Sequence, residues 1–232
     1  MGERGKVGSE SKGSRVLNPI FREYACFWGK RYMNMAVIEK YKMSFTTAGL
    51  LRNETITIAA LFVSSCDWAV VQRHVLDENC LQLRAMSSRR RIFREIRMRL
   101  EKLSAAEMEI LTSGTSSDVD AMLWLSICRL YGFIGDFAKE VLREKILSLQ
   151  RKIEFVDFTL FVERKSVIHP ELLAITDSTM KRLRQMLFSF MRNCGLIDRE
   201  GRIQPMLFSP AFMKTMKAEL MYFPVATGGL SK

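Results

Sequence analysis

The chain lacks any apolar run approaching the ~18–20 residues that span a bilayer, which argues against a transmembrane protein. Its opening, MGERGKVGSESKGSR, has no apolar stretch of the kind a secretory signal carries. Histidine is scarce. His74 and His169 are the only two, and neither stands at metal-ligand spacing from a cysteine or carboxylate, so no metal site is expected. GxxxxGK(S/T), GxGxxG and GxSxG are all absent, which removes the common signatures of phosphate cradles, dinucleotide sites and serine nucleophiles. CxxC is absent as well. The five cysteines (Cys26, Cys66, Cys80, Cys128, Cys194) are scattered and odd in number, and read as reduced thiols of a cytoplasmic protein, several of them in the core. No repeat of solenoid type recurs. The expectation is a protein without catalytic machinery or cofactor, not an enzyme.

What is present is apolar mass and positive charge. The 232 residues are 48% hydrophobic, too apolar for a disordered chain and enough for one large domain or two small ones. Lys and Arg number 36 against 25 Asp and Glu, a net charge of +11. Such an excess points to a polyanion, nucleic acid first and anionic lipid second. A membrane surface is the weaker partner, because the basic helices below carry apolar faces that the core needs.

Residues 1–34 stand apart as a basic, flexible extension with seven Lys/Arg against three Glu. From Ser44 the apolar period is helical almost throughout, so the fold class is all-α, a multi-helix bundle with helix-turn-helix-like elements. Asn53 and Asp67 are expected to cap two short helices, and Ser87 or Ser88 to open a long one reaching Leu103. Ser104-Ala-Ala-Glu107 is a capping box, Gly114 a stop, and Ser117 or Asp118 a new start. Gly132 and Gly135 should break or kink the chain before a helix running to about Gln150. A second half, 151–232, follows the first, 35–150. It holds a helix from near Glu154, a short helix after Pro170, a helix from Thr176 or Asp177 to Asn193, and a last short one from Ser209-Pro210. Between the last two, Leu196 to Ile203 reads as a small hairpin, a C-terminal wing.

Two charge constellations stand out. Arg84, Arg89, Arg90, Arg91, Arg94, Arg97, Arg99 and Lys102, against Glu95 and Glu101, put +6 into nineteen residues. At 3.6 residues per turn Arg90, Arg94, Arg97 and Glu101, flanked by Arg91 and Arg89, form a stripe opposite Ile92, Phe93, Ile96, Leu100 and Leu103. Two short helices and then a basic third is the order of a helix-turn-helix, although the Asn79–Met86 connector is longer than its usual turn. The second group is Thr179, Lys181, Arg182, Arg184, Gln185 and Arg192, followed by Arg199 and Arg202 on the hairpin, in the order of a winged helix. There, cations would meet phosphates and Gln185 could pair with adenine. The competing reading of both groups is a solvated face paired with acidic helices. Asp136, Glu140 and Glu144, spaced four apart, have Lys139, Arg143 and Lys145 around them and read as a salt-bridged face.

Several segments then form one ordered series: Ser44-Phe-Thr-Thr-Ala-Gly-Leu-Leu51, Asp67-Trp68, Asn79-Cys-Leu-Gln-Leu-Arg84, Trp124-Leu-Ser-Ile-Cys-Arg-Leu-Tyr131, Phe137–Lys145 and Thr179-Met-Lys-Arg-Leu-Arg-Gln185. Over about residues 41–224 this series resembles the BrxA family, a small component of the bacterial BREX (bacteriophage exclusion) phage-defence systems. The resemblance implies an all-α protein with helix-turn-helix-like elements that binds double-stranded DNA beside other BREX components, a methyltransferase and ATPases. It supplies no transferable base-reading residues, so the candidate contacts rest on the helical faces alone. Two rivals remain: a protein–protein adaptor within the defence complex, and an RNA-binding helical bundle.

Overall fold

The computed structural model describes residues 39–46 and 48–224, except the side chains of residues 217 and 218. The reading of residues 1–34, and of Cys26, falls outside that range. Nine α-helices make up the described residues: α1 (Arg52–Ser65), α2 (Trp68–Leu76), α3 (Met86–Leu100), α4 (Ala105–Ser113), α5 (Ser116–Leu130), α6 (Gly132–Leu147), α7 (Phe155–Ser166), α8 (Asp177–Asn193) and α9 (Pro210–Thr215). Short 3₁₀ turns at Ser44–Thr46, Pro170–Ala174 and Lys217–Tyr222 supplement them. The fold is an all-α bundle.

Local chemistry explains most of the helix starts. The Asp67 carboxylate accepts from the Ala69 N–H at 2.7 Å and opens α2. Ser104 and Glu107 exchange hydrogen bonds as a capping box at α4, and Thr176 accepts from Thr179 N–H at α8. Ser209 caps α9 with Pro210 at its first position. Three starts differ from expectation. α1 begins at Arg52, after Leu51 in the left-handed region (φ 56°), so Asn53 lies inside it. α3 begins at Met86 without a side-chain cap, ahead of Ser87 and Ser88. α5 is capped by Thr115, whose box partner is Asp118.

The middle of the bundle is α5. From Asp118 to Cys128 its side chains are buried on nearly every side, apart from the half-buried Asp120, as a helix apolar all round must be. α3, α4 and α8 all pack on it. At Tyr131 the chain turns through 116° into α6. Gly135 makes that corner possible: a Cβ there would sit 2.8 Å from the Cys128 carbonyl oxygen. α6 widens into a π turn over Ala138–Leu142. The C-terminal segment closes over α5, with Trp124 Nε1–H donating to the Tyr222 carbonyl (2.8 Å) and Ser209 N–H to Asp118 (3.0 Å). One cluster of buried residues runs from Phe45 to Phe223.

Among the described residues no helix by itself is long and apolar enough to cross a membrane. Cys66 and Cys80 are exposed free thiols, while Cys128 and Cys194 are buried ones whose burial pushes their ionisation up.

The expected hairpin is present in reduced form, as isolated antiparallel bridges rather than strands. Ile197 pairs with Ile203 around a turn in which Asp198 accepts from the Glu200 and Arg202 N–H groups. A third segment, unforeseen, joins it: Lys152 pairs with Arg202, and Ile153 N–H donates to the Gly201 carbonyl (2.8 Å). Gly201 (φ +82°) brings its backbone against Ile153 where a Cβ would collide with the Ile153 carbonyl oxygen.

Candidate nucleic-acid interface

The cations of the first constellation divide by position on α3. Arg90, Arg91 and Arg94 project into solvent without a partner among the described residues, as do Arg84 before the helix and Lys102 after it. Arg97 is half-exposed, pairs with Glu101 at 2.7 Å and lies 5.3 Å over the Trp68 ring, which in turn stacks on Phe62. Arg89 is spent on structure. Its Nε donates to the Leu83 carbonyl and its Nη1 to the Leu76 carbonyl, both at 2.9 Å, fastening the connector between α2 and α3.

Arg99, counted in the sequence among the surface charges, is fully buried and does not belong with them. Its Nε donates to Glu95 Oε1 at 2.9 Å, and its Nη1 reaches the Gly49 and Leu50 carbonyls at 3.1 and 3.0 Å. Tyr131 donates to the same Glu95 oxygen at 2.6 Å, and burial beside that carboxylate pushes the phenol's ionisation up. The Arg99 guanidinium completes the cluster 5.7 Å over the Phe190 ring of α8.

On α8, Lys181, Arg182, Gln185 and Arg192 are exposed on the side away from the buried Leu183, Leu187 and Phe190. Arg184 is half-buried instead, its guanidinium 4.5 Å over the Phe155 ring of α7 and its Nε enclosed without an acceptor. At the C-terminal end of α8, a hollow of about 200 Å³ gathers Lys152, Arg192, Arg199 and Gly201 with Glu154 and Glu200. Arg199 is exposed and unpaired among the described residues, while Arg202 faces solvent in a pair with Glu200. Lys152, which pairs with Glu154 at 2.7 Å, thus joins Arg192 and Arg199 in the hollow. It lies some fifty residues from the hairpin, and nothing local marks it.

Over residues 39–219 the chain matches the BrxA family. It belongs to that family. A curated relative, the BREX protein BrxA of Escherichia coli O9:H4 (strain HS), is 22% identical over 153 residues, 66% of this chain and 72% of the relative. A solved structure, an uncharacterized protein from Magnetospirillum magneticum, superposes with a TM-score of 0.68 at 20% identity, covering 79% of this chain and 96% of that one, and so shares its fold. The segments that carry the BrxA likeness contribute unequally to the core of this chain. Phe45 and Leu50 are buried, and Trp124–Tyr131 lies in and just after α5. Thr179–Gln185 lies chiefly on an outward face, and Asn79–Arg84 has no buried residue.

In this BrxA-family member two of the three acids on α6, Asp136 and Glu140, are engaged in ion pairs. Lys165, nearly buried, bridges Asp136 and Glu140, and Lys139 also pairs with Asp136. Burial acts to raise the Asp136 carboxyl, but the Tyr41 hydroxyl (2.6 Å), Lys139 and Lys165 together hold it below the usual range. Among the described residues no three His, Cys, Asp or Glu side chains converge on a metal position. His169 is buried, stacked 3.8 Å from Tyr41 and bonded to Glu171, while His74 faces Glu78 near the surface.

Proposed function

We propose that this chain is a non-enzymatic accessory protein of BREX phage defence that binds double-stranded DNA through its basic helices. One observation carries the reading: exposed, unpaired cations line the outer face of α3 (Arg90, Arg91, Arg94) and the outer face of α8 (Lys181, Arg182, Arg192), the latter running into the hollow with Arg199 and with Lys152, which pairs with Glu154. Planar guanidinium groups dominate both faces and suit bidentate contact with phosphates or base edges. In this reading α8 is the recognition helix of a winged unit, the Ile197–Ile203 turn its wing, and Gln185 an exposed amide able to read a base. Affinity then comes chiefly from released counterions. The other BREX components are the protein partners, as the relative's name suggests.

The test is a fluorescence-anisotropy titration of a labelled duplex by the full chain across a salt series. Six or more occupied phosphates would weaken binding on the order of a thousandfold between 50 and 200 mM salt. A flat salt dependence, or tighter binding of structured RNA in competition, would refute the reading. The adaptor reading draws on one observation of its own. Phe155, Val156, Leu160, Val167, Ile168 and Leu173, on and after α7, are each half or more exposed, and exposed apolar patches mark protein contacts. A stoichiometric partner that survives nuclease treatment during purification, with no duplex affinity in the isolated chain, would favour the adaptor.

A further inference from the structure

Arg99 and Phe190 fix how the two basic helices are turned. Each is at most 1% exposed, and the guanidinium lies 5.7 Å from the ring centroid, so the inner face of α3 meets the inner face of α8 at this point. Both helices also pack on α5. An α-helix advances about 100° per residue. From Arg99, Arg90 is about 180° away and Arg94 about 140°, so these two face away from the contact, while Arg91, about 80° away, is exposed on the flank. On α8, Lys181 is about 180° from Phe190, Arg192 about 160° and Gln185 about 140°, with the exposed Arg182 on the flank at about 80°. The two outward faces therefore point to opposite sides of the body, with Glu95, Arg99, Tyr131 and Phe190 between them.

We propose that the chain holds two DNA segments at once, one on each side. This rests on the duplex-binding reading above and goes beyond it. A short duplex lying on α8 and the wing cannot reach Arg90, Arg91 and Arg94 without wrapping the body. Duplex DNA, with a persistence length of about 50 nm, resists such a bend over two or three helical turns. A second duplex meets no such obstacle. The proposal assigns bridging of separate segments, rather than a firmer grip on one, as the use of having two cationic faces.

The experiment immobilises one unlabelled duplex of about two helical turns and asks whether the full chain captures a second, fluorescent duplex from solution. Anisotropy on the fluorescent duplex alone runs in parallel. The wild-type chain captures the second duplex. Two variants, R90A/R91A/R94A and K181A/R182A/R192A, replace exposed residues without partners, and circular dichroism checks that each is folded. Each variant still binds a single duplex through its untouched face, but each loses at least tenfold in capture. Duplex binding by the wild type without capture would overturn bridging and leave the DNA reading standing. Capture surviving in either variant would also overturn it, because the second site would then be a second copy of the chain or another segment. Energy transfer between the two ends of one longer duplex, without capture, would mean wrapping. No binding of any duplex would remove both readings together.

Discussion

Glu95→Ala should be among the most damaging single substitutions in the chain, although it touches no candidate contact. The Glu95 and Arg99 side chains are 5% and 1% exposed. Without the carboxylate, the Arg99 charge would retain two backbone carbonyls and the Phe190 ring, and the Tyr131 hydroxyl would lose its acceptor. Breaking a buried pair by removing one partner costs about 3–5 kcal/mol, because the surviving charge is left uncompensated in a poorly polarisable interior. At about 2–4 °C per kcal/mol for a domain of this size, the melting temperature falls by roughly 6–20 °C. Arg99→Met should cost a comparable amount for the mirror reason. The double variant Glu95→Leu/Arg99→Met removes both charges and should be less destabilised than either single variant, retaining only the cost of the orphaned Tyr131 hydroxyl and the Gly49 and Leu50 carbonyls, about 1 kcal/mol each. Urea unfolding followed by circular dichroism, with Glu95→Leu as the matching single variant, supplies all four corners of the cycle. Additive single-variant losses, or a Glu95→Ala cost below about 1 kcal/mol, would show that the pair does not depend on mutual compensation and would refute the reasoning.

Other expectations concern caps, pH and the wing. Asp118 is buried, which raises its carboxyl, but the Ser209 and Thr115 donors outweigh burial and hold it below the usual range; Glu107 is lowered likewise by Arg129 and Ser104 against its burial. Both therefore stabilise the fold fully above about pH 4–4.5, and that stability is lost as pH falls through their lowered values. Asp118→Asn should lower neutral-pH stability and flatten the acid limb of an unfolding curve; an unchanged acid limb would contradict this. Ser104→Ala removes one half of the capping box and should cost about 0.5–2 kcal/mol by chemical denaturation. Gly201→Ala forces a side chain against Ile153 in a left-handed turn and should cost more than about 1 kcal/mol. It should also weaken duplex binding more than it lowers the melting temperature of the bundle. R90A/R91A/R94A should leave the melting temperature nearly unchanged and, combined with K181A/R182A/R192A, should remove the duplex binding that either triple variant keeps through its other face; binding that survives the combination at undiminished salt slope places the contacts elsewhere.

Where a residue's role is settled by its near neighbours, the sequence was readable. Asp67, Ser104, Gly114, Thr176 and Ser209-Pro210 all act within a few residues of themselves, and each stands where its side chain and spacing put it. The Asp198–Gly201 turn is of the same kind. Arg99 shows the other limit. Its period places it with Ile92 and Ile96 on the apolar face, and Glu95 four residues earlier was the available partner. Counting charge by composition nevertheless set it with the surface cations. Leu51 opens α1 through its backbone conformation rather than any side-chain cap, so Asn53 was the more visible signal and the wrong one. Lys152 reaches the hairpin only through pairing across some fifty residues, and the facing of α3 against α8 depends on a contact between residues 99 and 190. Neither leaves a local trace.

The closing of the C-terminal segment over α5 also sets an order of events while the chain is being made. Trp124 waits 98 residues for the Tyr222 carbonyl, and Asp118 waits 91 for the Ser209 N–H. At about 5–20 residues per second, the first interval corresponds to roughly 5–20 s of synthesis. For that time α5, buried on nearly every side in the finished fold, is on the nascent chain without the segment that will cover one of its sides. A ribosome stalled beyond α8 but short of Phe212 would hold a nearly complete bundle that still shows this sticky seam to its neighbours. Quality control should therefore act late on this protein, and stop codons in the last few helical turns should deplete it from cells as thoroughly as early ones.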